Sequence, residues 1–203
     1  MTAVILDPRD GLGYIKNRAK VYPGPLHRRR VPKNVWNART DLVNSLAAGA
    51  SNPNGRWSYG RKDALAVFSL ITNVNTNGWF GNQSFNTPFF YVGTGRIDAH
   101  VPIGVAGQST LRWTAPADMV VSLDFRVGKS STGGNGVIHS IRVNGSIVNT
   151  SPVIQGPAGV HNYVNESISI GSGQHIDFDC DRNSDDGFDN FFYERVIITQ
   201  VSS

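Results

Sequence analysis

Residues 119–127, Met-Val-Val-Ser-Leu-Asp-Phe-Arg-Val, carry the clearest structural signal in the chain. From Val121 onward every second side chain is apolar, and the side chains between them are polar. A period of two is that of a β-strand, because successive side chains of a strand point to opposite faces of its sheet. The stretch therefore predicts a strand with one buried face and one solvated face.

Comparable stretches recur through the rest of the chain. The other predicted strands lie at residues 65–71, 89–92, 109–114, 137–143, 146–149, 167–170, 175–180 and 195–201. Asn144-Gly145 separates two of them and is typical of a two-residue hairpin loop. About nine strands with no helix between them predict an all-β fold, a jelly-roll-like β-sandwich over residues 51–203.

The composition agrees with many short strands joined by turns. Hydrophobic residues make up 39% of the chain and charged residues 17%, with 22 Gly and 10 Pro. The single cysteine, Cys180, excludes an internal disulfide, and its alternating surroundings predict a small buried side chain. The sequence has no apolar stretch long enough to span a bilayer and no visible secretory signal, so no membrane insertion is expected.

Charge divides the chain into two unlike parts. Residues 1–62 hold 12 Lys and Arg against 3 acids, whereas residues 63–203 hold 7 basic and 12 acidic residues. Prolines and glycines between residues 7 and 35 exclude a long helix there. We therefore expect residues 1–50 to form an extended basic arm with one short helix at roughly 39–48, which Asn37 or Thr40 can cap.

The basic run Arg28-Arg29-Arg30 has three interpretations: contact with nucleic acid, contact with an acidic protein surface, or a solvated charge run. Apolar residues are interleaved with the charges, which favours a protein surface over nucleic acid, since a segment of this kind orders by lying along its partner. The predicted partner-binding set of the arm is Arg18, Lys20, Tyr22, Arg28, Arg29, Arg30, Lys33 and Trp36.

Residues 52–60, Asn-Pro-Asn-Gly-Arg-Trp-Ser-Tyr-Gly, resemble the entry into the first strand of a family of jelly-roll domains found in bacterial extracellular proteins. The stretches 111–117, 143–145 and 171–178 resemble that family's central strand, hairpin and late strand, so the resemblance spans about 150 residues. It implies a non-catalytic, carbohydrate-binding-like module. Residues 100–107 follow the family's turn only loosely, and the basic arm belongs to no such module.

Acidic residues gather between positions 177 and 194. Asp181, Asn183 and Asp185 alternate as the oxygen ligands of a calcium loop do, but the glycine falls one position late and Glu194 does not close the site. A solvated, turn-rich loop is therefore favoured over a calcium site, and no other cofactor is expected.

No catalytic residues are predicted. The acids do not form two carboxylates in distinct environments across a cleft, as a glycosidase requires. The histidines lack metal-ligand spacing, and His139 and His175 are expected on solvent-facing strand positions.

Aromatic residues in the stretch 73–95 suggest a surface on which sugar rings could stack. This stretch is rich in Asn and Gly and is more typical of a loop than of a strand. The predicted glycan-binding set is Trp79, Phe80, Phe85 and Tyr91. Trp57 and Trp113, by contrast, are expected in the core.

Together these features favour a non-enzymatic virion structural protein of a bacteriophage, assembled in the host cytoplasm and exposed outside. The arm would anchor it on a capsid or tail surface, and the sandwich would be displayed as a decoration, a fibre or a binder of host-surface glycan. Self-association is expected on a symmetric particle. The alternative is a stand-alone carbohydrate-binding module or a fragment of an adhesin.

Overall fold

The computed structural model describes residues 34–46, 51–63, 65–72, 79–80, 89–92, 95–101, 107–157, 159–183 and 190–203. For residues 43–46, 79–80, 89 and 92 it describes the backbone alone. Residues 33–203 form one compact unit. Within the described ranges, no helix is long and apolar enough to cross a membrane.

The described part of the unit consists of strands and one helix. The helix, α1, spans Ala38–Leu46. The strands are β1 (Val35–Asn37), β2 (Trp57–Asp63), β3 (Phe68–Leu70), β4 (Trp79–Phe80), β5 (Phe89–Val92), β6 (Ile97–His100), β7 (Gly107–Thr114), β8 (Met119–Lys129), β9 (Val137–Val143), β10 (Ser146–Thr150), β11 (Val160–Ile170), β12 (His175–Arg182) and β13 (Asn190–Ser202).

The strands pair into two antiparallel sheets that form a sandwich. The seven-stranded sheet has the order β11-β8-β13-β6-β5-β4, with β1 also paired to β13, and the six-stranded sheet has the order β10-β9-β12-β7-β2-β3. Most pairings join strands that are distant in sequence, as in a sandwich with crossing connections. The prediction of an all-β sandwich is confirmed.

Side-chain alternation determines which residues fill the space between the sheets. Val121, Leu123, Phe125 and Val127 on β8 are all 1% exposed or less. Phe125 stacks at 5.3 Å, between ring centroids, on Phe178 of the opposite sheet. Trp57, Trp113 and Cys180 are also buried in the core, as predicted.

The Asn144-Gly145 loop joins β9 to β10 directly, since Val143 pairs with Ser146. The φ angles of Asn144 and Gly145 are 46° and 87°. Two successive positive φ angles are those of a type I′ turn, whose twist matches that of the flanking strands. The predicted two-residue hairpin is confirmed.

Residues 34–46, which the sequence assigned to the arm, contact the sandwich. Strand β1 pairs with β13, where Trp36 lies opposite Ile198. Asn37 caps α1, because its Oδ1 accepts hydrogen bonds from the backbone N–H groups of Arg39 and Thr40 at 3.1 and 3.2 Å. The helix then buries Ala38 and Leu42 completely. This described part of the range 1–50 therefore belongs to the sandwich unit.

Candidate functional site

The outer face of the six-stranded sheet carries a row of charges. On β12, Ile176, Phe178 and Cys180 point into the core, so the alternating residues Asp177 and Asp179 point outward. The pairing register places Arg112 of β7 and Arg142 of β9 directly opposite Asp177, one on each side. We call this surface the charged face and define it by Lys62, Phe68, Arg112, Arg142, His175, Asp177 and Asp179.

Lys62 lies at the centre of the charged face. Its Nζ is 2.8 Å from Asp177 Oδ2 and 2.7 Å from Asp179 Oδ2. All three side chains are 3% exposed or less. A lysine that bridges two carboxylates in this way removes the repulsion that would otherwise keep two buried anions apart.

The two arginines cover the carboxylates from outside. Arg112 binds Asp177 with two parallel hydrogen bonds, from Nε at 2.7 Å and from Nη2 at 2.9 Å. Arg142 Nε donates to Asp179 Oδ2 at 3.0 Å, and Thr110 Oγ1 donates to Asp179 Oδ1 at 2.7 Å. The arginine side chains are 20% and 21% exposed, whereas each carboxylate is 1% exposed. The charged face therefore presents cations to solvent and holds its anions beneath them.

An aromatic ring lies beside the arginines. The ring of Phe68 crosses above Gly60, where an added Cβ would come within 2.6 Å of the ring. The guanidinium carbon of Arg112 stands 4.0 Å from the centre of the same ring. Arg112 is thus fixed between a carboxylate and a ring, and a glycine at position 60 is required for this arrangement.

Protonation on the charged face follows from these contacts. Burial by itself would raise the pKa of Asp177, but the hydrogen bonds from Arg112 and Lys62 outweigh it, and the pKa lies below the usual value. Burial lowers the pKa of His175, whose Nε2 is 3.5 Å from Asp177 Oδ2. Near neutral pH Asp177 is accordingly ionised and the imidazole of His175 is neutral.

Asp177 and Asp179 lie on the predicted strand 175–180, and β12 buries both of them in ion pairs. Such a pair is also unsuited to glycoside hydrolysis, which needs one carboxyl group that keeps its proton and an open path to the substrate.

The predicted calcium ligands are partly described. Asp181 accepts a hydrogen bond from Gln108 at 3.2 Å, and the side-chain amide of Asn183 donates to the carbonyl of Asn135 at 3.1 Å. Asp185 lies outside the described residues. No cluster of three or more metal-ligating side chains occurs in the described ranges. The favoured solvated loop and the calcium alternative both stay untested.

The predicted aromatic platform falls at the edge of the seven-stranded sheet. Trp79 and Phe80 form β4, so the expectation of a loop is wrong for these two residues. They pair with Tyr91 and Phe90 of β5, which confirms the strand predicted at 89–92. Tyr91 is half-buried, and Phe85 lies outside the described residues. A role for this set in glycan binding stays a prediction.

Of the predicted arm residues, the structure describes Trp36 alone. Its ring packs against that of Trp113, with centroids 5.1 Å apart, so it is already bound to its own domain. The remaining residues of the set lie outside the described ranges: Arg18, Lys20, Tyr22, Arg28, Arg29, Arg30 and Lys33.

His139 occupies a position that the sequence analysis assigned wrongly. It is 1% exposed, not solvent-facing, and its ring lies 5.0 Å from that of Phe191 and 5.9 Å from that of Tyr193. Burial, together with the nearby His161, lowers the pKa of His139 to about 3. His139 is a neutral member of an aromatic core cluster at physiological pH.

A concavity lies apart from the charged face. It is an open depression of about 630 Å³ lined by Asp118, Ser169, Gly171, Gln174 and Ser202 among others. Asp118 Oδ1 accepts from the backbone N–H of Ser172 at 2.7 Å, and Gln174 Oε1 accepts from that of Gly171 at 2.9 Å. These polar groups are used to hold the β11–β12 turn, which makes the charged face the stronger candidate.

Comparison with known proteins gives distant likenesses only. No family model matches the chain, and no curated protein matches it. Among solved structures, the module CBM51 from Clostridium perfringens GH95, in complex with methyl-galactose, has 10% identity and a TM-score of 0.39, covering 73% of this chain and 90% of that one. A mutant of the family 29 carbohydrate-binding module CBM29-2 has 16% identity and a TM-score of 0.38, covering 70% and 91%. These likenesses are too remote to assign a ligand to this chain.

Proposed function

We propose that the chain is a non-catalytic carbohydrate-binding protein whose sandwich binds glycan on the charged face. The observation that carries this proposal is the fixed group formed by the Phe68 ring, Arg112 and Arg142 on the outer face of a sheet. A sugar offers an apolar ring face and a rim of hydroxyl groups, so its site needs an apolar surface beside well-oriented polar groups. The ion pairs hold the guanidinium planes in place before any ligand arrives, which reduces the entropy lost on binding.

The same ion pairs are the reason for proposing binding without catalysis. Asp177 and Asp179 are held as ions under two arginines and a lysine. Neither carboxylate can serve as a general acid while those bonds persist.

We further propose that the N-terminal arm attaches this sandwich to the surface of a virion, on its capsid or tail. The support is the charge of residues 1–62 and the apolar side chains between those charges. Residues 1–33 lie outside the described ranges, so this attachment rests on sequence alone.

Glycan binding is tested with the full chain on a panel of immobilised polysaccharides, comparing wild type with Phe68→Ala and Phe192→Ala. Phe192 is a matched control, since it is half-buried on the outer face of the seven-stranded sheet, over Gly128, with Arg96 at 4.4 Å from its ring centre. We expect Phe68→Ala to weaken binding at least tenfold and Phe192→Ala to leave it unchanged.

Equal loss in both variants, or loss in Phe192→Ala alone, would place the ligand elsewhere on the sandwich. Failure of the wild-type chain to bind any member of the panel would contradict the proposed function itself. Thermal unfolding of each variant separates lost binding from lost folding.

A further inference from the structure

We infer that the glycan is anionic and that Arg112 and Arg142 bind its acidic groups. This inference rests on the proposed function and names the class of ligand for the same site. It concerns carboxylate or sulfate groups on a polysaccharide, because the guanidinium fork matches both.

On the charged face the cations lie nearer to solvent than the anions. Asp177 and Asp179 are 1% exposed, while the arginines above them are 20–21% exposed. An approaching ligand therefore meets guanidinium groups before it meets any carboxylate of this cluster. Three cations, Lys62 included, surround the two anions, so the cluster keeps a net positive charge.

Each arginine of the charged face also has a guanidinium nitrogen that is not used in hydrogen bonds within the described residues. Arg112 uses Nε and Nη2 on Asp177, and Arg142 uses Nε on Asp179 and Nη1 on the carbonyl of Gly145 at 3.2 Å. Within the described residues, Arg112 Nη1 and Arg142 Nη2 make no hydrogen bond. Charged donors with no partner in the protein are suited to bind an acidic group of a ligand.

The two arginines lie on different strands. They stand on β7 and β9, which flank β12 on either side. Neighbouring strands are about 4.8 Å apart, so the two backbones are separated by roughly 10 Å. The two guanidinium groups reach Asp177 and Asp179 from opposite sides of β12, so a chain that lies across this strand with an acidic group on successive sugars can contact both arginines.

Two further titratable groups of β12, Asp181 and His175, lie beside this cluster. Asp181 lies farther along β12, at the end away from His175, and accepts a hydrogen bond from Gln108. His175 is neutral near pH 7 because burial lowers its pKa.

The outer face of the seven-stranded sheet offers an internal comparison. There Arg126 pairs with Glu194 and Arg195 pairs with Asp124, each at 2.8 Å. Both members of each pair are similarly exposed, at 36% and 43% and at 41% and 38%. These two pairs expose both charges to a similar extent, so Arg126 supplies a control for the loss of one surface arginine.

The experiment measures binding of the full chain to polygalacturonate and to its carboxyl-reduced form, and to dextran sulfate and dextran. Each pair shares a backbone and differs in charge. Neutral galactan and mannan complete the panel. We expect at least tenfold tighter binding to one or both charged polymers than to the neutral partner, and the preferred pair identifies carboxylate or sulfate.

Variants then locate the charge preference. Arg142→Gln is expected to lower affinity for the charged polymer about tenfold, Arg142→Lys to lower it less, and Arg126→Gln to have no effect. The basic arm can bind polyanions unspecifically, so a triple variant Arg28→Ser, Arg29→Ser and Arg30→Ser is measured in parallel. This triple variant should keep the preference for the charged polymer over its neutral partner.

Three results would overturn the inference. Equal affinity for charged and neutral partners would remove the charge preference and leave glycan binding intact. Loss of preference in the triple arm variant, but not in Arg142→Gln, would assign it to the arm. Binding to no polymer of the panel would overturn the inference together with the proposed function.

Discussion

Replacing His139 with phenylalanine should remove part of the acid sensitivity of this fold. The imidazole is 1% exposed among aromatic rings, and its pKa is about 3 in the folded state. In the unfolded chain its pKa returns to about 6.5. Below that value His139 binds a proton in the unfolded state but not in the folded state. The free energy of unfolding therefore falls as the pH falls.

The size of the effect follows from the two pKa values. At pH 8 both states hold a neutral imidazole, and His139 contributes no pH dependence. At pH 5 the unfolded state is largely protonated and the folded state is not, which costs about 2 kcal/mol of stability from this one side chain. The loss continues until the pH reaches the folded-state pKa.

The assay is urea unfolding of wild type and His139→Phe at several pH values between 8 and 5. The difference in free energy of unfolding between the two proteins should shift by about 2 kcal/mol in favour of the variant across that range. Burial also lowers the pKa values of His100, His161 and His175, so the variant keeps a smaller slope of the same sign.

The refuting result is a parallel pH dependence in the two proteins. It would mean that His139 becomes protonated without unfolding, and therefore that solvent or an acidic partner reaches the ring. Comparing slopes instead of absolute stabilities removes the separate effect of fitting a slightly larger ring into the cluster.

Three further predictions concern the charged face and the arm. Asp177→Asn should destabilise the fold by about 3–5 kcal/mol, because it leaves Lys62 buried with half of its pairing lost; a change below 1 kcal/mol in urea unfolding would contradict this. Gly60→Ala should lower the melting temperature and weaken glycan binding, since its Cβ would collide with the neighbouring backbone and ring, whereas Gly95→Ala, with open space around it, should do neither. Limited proteolysis with mass mapping should cut residues 1–33 of the isolated chain and spare them on the virion of the proposed function; protection in isolation would favour a stand-alone module.

The period-two pattern accounted for most of the fold. Strands β8, β9 and β12 were predicted within two residues at each end, and the hairpin after Val143 was predicted from its turn residues alone. The burial of His139 was also within reach of this reasoning, because it shares its phase with Val137 and Ile141, which face the core. The polarity of the imidazole indicates the solvent-facing side, whereas its phase in the strand indicates the core, and the phase decides here.

The charged face could not be predicted in the same way. Alternation places Asp177 and Asp179 on the outer side of their strand, and an outer side is ordinarily solvated. Their burial depends on the register that sets Arg112 and Arg142 beside them, across 65 and 35 residues of sequence respectively. The residues of such a network can be read from one sequence, but the register of the paired strands that brings them together cannot.

The pairing of β1 with β13 has a mechanical consequence. Asn34 is held at the same place by two hydrogen bonds with Gln200, each of 2.8 Å. Tension applied to the chain ahead of this residue is therefore borne by paired backbone, by Trp36 against Trp113 and by the buried Leu42, and not by a loose connection. A pull on residues 1–33 therefore loads β13, and the chain is drawn out only after β1 has separated from that strand.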